Sequence, residues 1–303
     1  MTQPSNQRLW AFAGLLLAIL SWAGNATVAR ASVGSISPFA LAFWRWTLAL
    51  LLLLPFSWKQ LLSHRRVIQA NWKALLLLSF FSVSCYNSFL YLGAQSTTAI
   101  NITLVSSVIP GSTIFLAWLV LHTPISKARM SGILLAFFGV LLIIIQGDFS
   151  NLRQLVFNQG DLLIVGGVIC WSFYSVLLQK FKIDLPPLCF LSTQILLGLP
   201  LILPFYLWEV QKIPHFELNG KNSTILMFVA IFPSVCAYLG WNQGVKKVGP
   251  VTASMFIYLL PVFTAMLAVL FLDEQLYPFH LIGGLVIITG LSLANWAALR
   301  GLK

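Results

Sequence analysis

Charge is what this sequence has least of. Only 8% of its 303 residues are charged, and Asp and Glu together number 7, against roughly a quarter charged in an average soluble domain. A chain so poor in charge cannot clothe a water-facing surface, so the net charge of +11 does not point to nucleic acid as a partner. The carboxylates (Asp148, Asp161, Asp184, Glu209, Glu217, Asp273 and Glu274) and the histidines (His64, His122, His215 and His280) all fall in expected loops or at expected helix ends. No set of nucleophile, acid, base or metal ligands can then be assembled at mid-membrane, which argues against an enzyme and against any cofactor or metal. Cys85, Cys170, Cys189 and Cys236 lie singly in apolar runs, where a free thiol behaves as a small hydrophobe. They predict neither a disulfide nor a metal site.

Long apolar runs fill the space that charge leaves. Ten of them, of roughly 18 to 24 residues, are each near the length that crosses a hydrocarbon core of about 30 Å. They cover approximately 9–29, 38–57, 72–92, 98–121, 129–146, 161–179, 187–208, 223–242, 249–272 and 279–299. The expected fold is an all-α polytopic membrane protein of ten transmembrane helices, with the lipid bilayer as its solvent. Basic residues cluster on one side: Arg8, Lys59, Arg65, Arg66, Lys73, Lys127, Arg129, Lys180, Lys182, Lys246, Lys247, Arg300 and Lys303. The other side receives only Arg30, Arg153, Lys212 and Lys221. The positive-inside rule therefore places both termini in the cytoplasm. Ala29-Arg30-Ala31 resembles a signal-peptidase site, but the run before it is long for a signal peptide and the internal repeat of the chain needs that helix.

The chain repeats itself. Trp22 recurs as Trp171, Pro38 as Pro187, Pro55 as Pro204, Cys85 as Cys236, Pro110 as Pro261, Thr113 as Thr264 and Gly139 as Gly290, in the same order and at nearly constant offset. Prolines and glycines would not recur in this way between unrelated apolar segments. The boundary falls near residue 148, giving units 1–148 and 149–303. With five helices per unit the second enters the membrane upside down, and in inverted repeats the substrate sits near the midplane between the halves.

The repeated element around which the rest is organised is an apolar helix interrupted by proline. Residues 249–274 carry Ser254, Tyr258, Pro261 and Thr264 on one face, and 98–123 carry Thr103, Ser107, Pro110 and Thr113 at the same places. Proline removes a backbone donor and frees a carbonyl one turn earlier, which a membrane helix tolerates beside protein or a watery cavity. Pro110 and Pro261 are therefore expected helix breaks beside a path. Ser84, Asn87, Ser88, Tyr91 and Gln95 make a polar stripe on the third helix, and its mate offers Tyr238, Trp241 and Asn242. Trp22 and Asn25 on the first helix match Trp171 and Tyr174 on the sixth. Such residues serve either as interhelical glue or as cavity lining, and matching faces in both halves favour a cavity. Arg45 lies two turns from Pro38, and its guanidinium is expected to snorkel toward the outer headgroups. Small residues at Gly132, Gly139, Gly283, Gly284 and Gly290 are assigned to scaffold or subunit contacts; a homodimer stays open.

Several stretches resemble the EamA-type branch of the drug/metabolite transporter superfamily. They are Pro38 to Pro55, PFALAFWRWTLALLLLLP, and Pro261 to Gly290, where a proline-bearing helix ends in FLDEQL before GGLVIITG. The resemblance implies ten helices, cytoplasmic termini and a central cavity lined by helices one, three and four with their mates six, eight and nine. It gives Glu274 a capping or gating role, with Asp273 standing where the family often has glycine and His122-Thr123 in the first half. With Arg45, these residues are the candidates for a gate or coupling group.

The expected lining is thus aromatic and neutral: Trp22, Trp171, Tyr174, Tyr91, Tyr238, Trp241 and Tyr258 with Asn25, Asn87, Thr103, Ser107, Asn242 and Ser254. Without Lys or Arg in the path, phosphorylated substrates are disfavoured. The leading reading is an alternating-access exporter of a small neutral or zwitterionic metabolite, an aromatic or neutral amino acid first, in a bacterial inner membrane. A proton-coupled exporter of drugs or cationic amines is the alternative, and a structural membrane protein without transport the weaker one.

Overall fold

The computed structural model describes residues 5–122, 127–150, 158–213, 216–248, 253 and 256–300. Every regular element among them is helical, as a bilayer requires of segments that must satisfy their own backbone hydrogen bonds. In chain order they are α1 (Ser5–Ala31), α2 (Pro38–Ser63), a short α3 (Arg65–Ala70), α4 (Trp72–Gly93), α5 (Ala99–Leu121), α6 (Lys127–Ile144), α7 (Gln159–Phe181), α8 (Pro187–Val210), α9 (220–248), α10 (Phe256–Leu272) and α11 (Pro278–Arg300). Among the described residues, 7 of these helices are long and apolar enough to cross a membrane, and shorter apolar stretches occupy Met130–Ile144, Phe256–Leu272 and Pro278–Gly290.

Helix starts follow local chemistry. Proline opens α2 and α8, where its missing N–H has no intrahelical partner to lose. Thr98, Asn158 and Asn219 cap α5, α7 and α9 by accepting backbone N–H groups. His122 and Asp273, which occupy matching places in the repeat, end α5 and α10 in the left-handed conformation with φ of 53° each.

Irregular turns stand just before both repeated prolines. In α5 the α-helical pattern lapses between Ser106 and Ile109, and Pro110 sits in the first turn of the renewed helix. In α10 a 3₁₀ turn, Phe256–Leu259, precedes Pro261. Each break lies where the proline ring would clash with the carbonyl one turn back. A second pair of irregularities has no forerunner in the periodicity: α4 and α9 each contain a π-helical turn, Phe80–Tyr86 and Ala230–Cys236.

The halves are interleaved. α2 packs on α8, α6 on α11, α1 on α9 and α10, and α7 on α4 and α5, so every pairing has its counterpart with the halves exchanged. The glycines explain the tightest of these. A Cβ added at Gly290 would lie 2.6 Å from Gly132 O and one at Gly139 2.8 Å from Gly283 O. These glycines thus serve the seam between α6 and α11 inside one chain. Trp10, Trp58 and Trp72 are exposed, as residues of a membrane interface would be.

Candidate functional site

Where the interleaved helices meet, a cavity of about 30 Å³ opens beside Trp22, Asn25, Arg45, Asn87, Trp171 and Tyr238. Thr103, Ser106 and Tyr86 complete its polar wall, and Ile257 and Leu260 of α10 part of its apolar one. Both halves contribute. A volume that small holds on the order of one or two waters, so the site is tightly filled by its own side chains.

Arg45 organises the cavity, and here the structure corrects the expectation of snorkelling. Its side chain is 1% exposed and points into the bundle. Nε donates to Ser234 Oγ at 2.5 Å, Nη1 to Asn87 Oδ1 at 2.7 Å and Tyr91 Oη at 2.8 Å, and Nη2 to Pro233 O at 3.1 Å. A longer contact, 3.4 Å, joins Nη1 to Asn25 Oδ1. The guanidinium also lies 4.8 Å from the Trp46 ring centroid, a cation–π geometry. Snorkelling loses because charged hydrogen bonds of about 1.5–3 kcal/mol each together outweigh an insertion cost of about 2.5–3.5 kcal/mol. The premise that the path holds no cation falls with it.

The π turns supply two of these acceptors, Ser234 and Pro233, and adjoin a third, Asn87. Pro233 lacks an N–H, and the turn around it presents its own carbonyl to both Arg45 and Trp22 Nε1, the latter at 3.2 Å. In α4 the side chain of Asn87 donates to Ser82 O and Val83 O at 2.8 and 3.2 Å, carbonyls inside the wide turn. Tyr91 Oη donates in turn to Asn25 Oδ1 at 2.9 Å, completing a network across α1, α2, α4 and α9. The mate of Arg45 in the repeat, Gln194, makes the corresponding reach: its Nε2 meets Ser82 Oγ at 3.4 Å, with Oε1 in no hydrogen bond of good length and angle.

The aromatic residues form one cluster. Trp22 meets Trp171, Tyr238 and Trp241 at centroid distances of 5.6, 6.3 and 5.2 Å, and Trp171 meets Tyr174 at 5.1 Å. Tyr174 and Trp241 stand behind the lining, not in it. Tyr174 Oη, Tyr238 Oη and Thr264 Oγ1 are buried without a hydrogen bond of good length and angle among the described residues, with Gln194 near Tyr174 and Asn87 near Tyr238.

Other expected positions are not brought to the cavity. Ser107 Oγ turns back onto Leu104 O at 2.6 Å, and its neighbour Ser106 takes the place at the wall. Tyr258 is half-buried in the 3₁₀ turn and Asn242 half-buried on α9, both off the wall. Ser254 lies outside the described residues. Asp273 is exposed. Glu274 accepts from Ala99 N at 2.8 Å and Ile100 N at 3.2 Å, so its carboxylate caps α5 and complements the helix dipole.

Two carboxylates expected in loops or at helix ends, Asp161 and Glu209, are buried. Glu209, at the end of α8, accepts from Ser37 Oγ at 2.6 Å and Ala40 N at 3.0 Å, fastening the start of α2. Asp161 accepts from Thr97 Oγ1 and, at 3.1 Å, from Asn101 Nδ2. Asn101 Oδ1 lies 3.0 Å from His280 Nε2, while His280 Nδ1 accepts Tyr277 N–H at 3.0 Å, which puts the ring hydrogen on Nε2. With Glu274, these groups tie the second half to the helix starts of the first.

Comparison with known proteins places this architecture. The model of the EamA-like transporter family matches twice, over residues 9–145 and 158–296. Among curated proteins, the uncharacterized transporter YyaM of Bacillus subtilis (strain 168) is 30% identical over 271 residues, 88% of each chain. An uncharacterized transporter of Archaeoglobus fulgidus is 29% identical over 283 residues, 93% of this chain and 96% of its own. A solved crystal structure superposes with a TM-score of 0.63 at 19% identity, covering 99% of this chain and 100% of that one, and shows a shared fold. Two matched segments filling nearly the whole length, on a multi-pass helical frame, leave one assignment: the chain belongs to the EamA-like transporter family and is a membrane transporter, not an enzyme.

Proposed function

We propose that this transporter moves a small neutral or zwitterionic metabolite through the central cavity by alternating access, with an aromatic or neutral amino acid as the leading substrate and export as the direction. Ten crossings as two inverted five-helix units, 1–148 and 149–303, with both termini in the cytoplasm of a bacterial cell, make the frame. The observation that carries the reading is that one small cavity, mainly apolar with a few convergent polar groups, is built at the seam between the halves from both of them. Movement of one half against the other would open it to either side.

An exporter of cationic amines is the alternative. A buried guanidinium in the wall counts against it, because a second positive charge would be repelled at short range in a medium of low dielectric. The test is counterflow in proteoliposomes of purified protein, loaded in turn with amino acids, quaternary amines and sugar phosphates. Accumulation of a labelled amino acid without an ion gradient supports the proposal. Accumulation of amines only, driven by an imposed pH gradient, favours the alternative, and silence from demonstrably folded protein refutes transport by this route.

A further inference from the structure

We infer that Arg45 and Tyr238 form a carboxylate subsite in the central cavity, so that the transported molecule must bring an anionic group. The inference rests on the cavity being the transport site and narrows what can occupy it.

Arg45 carries a full charge at 1% exposure, yet every partner it has is a neutral dipole: Ser234 Oγ, Asn87 Oδ1, Tyr91 Oη, Asn25 Oδ1 and Pro233 O. No carboxylate among the described residues reaches it. Dipoles spread the charge without cancelling it, so the closed site keeps one positive charge in excess. The hydrogen bonds hold the ion in place, and an anion entering the site would still gain the attraction of a charge that no other charge offsets. The guanidinium offers five N–H donors, and these contacts leave one hydrogen of Nη2 with no acceptor among the described residues, on a side chain that lines the cavity.

A second observation points to the same ligand. Tyr238 lines the cavity too, is 3% exposed, and its hydroxyl, though near the Asn87 amide, makes no hydrogen bond of good length and angle among the described residues. Its ring packs edge-on against Trp46 at 5.4 Å, and the Arg45 guanidinium lies over that same indole at 4.8 Å. A buried hydroxyl without a good hydrogen bond is unfavourable, and a carboxylate has two oxygens: one for the spare guanidinium hydrogen, one for the phenol. The repeat does not duplicate the charge, since Gln194 stands in the place of Arg45. A single cation balances a singly charged carboxylate and leaves a dianionic phosphate ester half-neutralised. Trp22 and Trp171 also line the cavity and are flat and apolar apart from the indole N–H, so the rest of the molecule is expected to be an apolar or aromatic body.

The experiment uses the full-length protein in detergent and in liposomes. Binding is read as a change in intrinsic tryptophan fluorescence and as a rise in unfolding temperature, neither of which requires turnover. The probes are phenylalanine and leucine, each beside its amide and its decarboxylated amine, with 3-phenylpropionate as an acid lacking the amine. The carboxylate compounds, 3-phenylpropionate included, are expected to bind at least tenfold more tightly than the amides and amines. Arg45→Lys, which keeps the charge but loses the planar fork, should weaken the acids tenfold or more, and Tyr238→Phe severalfold. If the lysine variant does not fold, the Tyr238→Phe result decides. Equal affinity for phenylalaninamide and phenylalanine, or acid affinity unmoved by Tyr238→Phe, overturns the subsite while leaving a carrier in place. Absence of binding by every probe, with no counterflow either, overturns the subsite and the transport reading together.

Discussion

Asn87 does two jobs in the structure, and changing it in two ways separates them. Its Oδ1 accepts from Arg45 Nη1 at 2.7 Å, while its Nδ2 satisfies Ser82 O and Val83 O in the π turn of α4. Asn87→Leu removes both. Losing an acceptor for a buried cation costs about 1.5–3 kcal/mol, and each carbonyl bond in a membrane is worth about 0.6 kcal/mol, so a loss of roughly 3–4 kcal/mol is expected. Asn87→Asp keeps the acceptor and adds the missing negative charge, forgoing only the carbonyl bonds; that variant should stay within about 1 kcal/mol of the parent. It should nevertheless stop transport, because an internal carboxylate now neutralises Arg45 permanently and the substrate's own has nothing to gain. Thermal unfolding in detergent, followed by size-exclusion fluorescence, measures the first effect and counterflow in liposomes the second. An Asn87→Leu protein that unfolds at the parent temperature, or an Asn87→Asp protein that transports normally, would refute the reasoning.

Glu274→Gln retains one acceptor oxygen at the start of α5 and loses the other; it should lower stability by about 0.5–2 kcal/mol without altering the response of transport to a pH gradient. A lost pH response at unchanged stability would return Glu274 to a coupling role. Gln194→Leu should cost at most about 1 kcal/mol in thermal unfolding: its bond to Ser82 is long, its Oε1 is at best weakly paired with the nearby Tyr174 hydroxyl, and Ser82 keeps a bond to Leu78 O. A drop beyond about 2 kcal/mol would mean that Gln194 holds the halves together in a way this geometry does not contain. Gly290→Leu places side-chain atoms where Ala136 N and Gly132 O now sit, at 2.6 Å from a Cβ. It should prise α6 from α11 and cut the yield of folded protein well below that of Gly284→Leu, whose nearest contact is the flexible end of Leu104 at 3.3 Å.

Composition and pattern made the frame readable. Low charge and long apolar runs dictate membrane helices, and prolines and glycines recurring in one order expose the repeat. The lapse before Pro110 lies where a proline ring disfavours the preceding helical turn, although Pro55, Pro200 and Pro204 sit inside unbroken helices. What the sequence hid was geometry made by distant segments. The depth of Arg45 depends on acceptors from α1, α4 and α9, and none is a carboxylate whose presence would have hinted at a partner. A π turn adds a residue to one turn of helix, which rotates the side chains beyond it; Tyr86, off the α-helical stripe of Ser84, Asn87 and Tyr91, is thereby turned to the wall. Pro233 in the middle of an apolar run was a visible cue for the π turn of α9, whereas α4 has no proline to betray its own. The lapse of α5 before Pro110 likewise put Ser106, not Ser107, beside the cavity. Asp161 and Glu209 looked like ordinary residues of helix ends, and only the packing of one half on the other shows that they are buried.

The most direct test of alternating access through this cavity is two-sided labelling of Ser106→Cys, with Ser107→Cys as its neighbour control, in a background without the native cysteines and in vesicles of known orientation. A membrane-impermeant thiol reagent applied from either side should reach position 106 in turn, with a transported carboxylate slowing the reaction, and should leave position 107 unmodified. Labelling of position 106 from one side only, or equal labelling of both positions, would contradict a path that opens alternately at the seam between the halves.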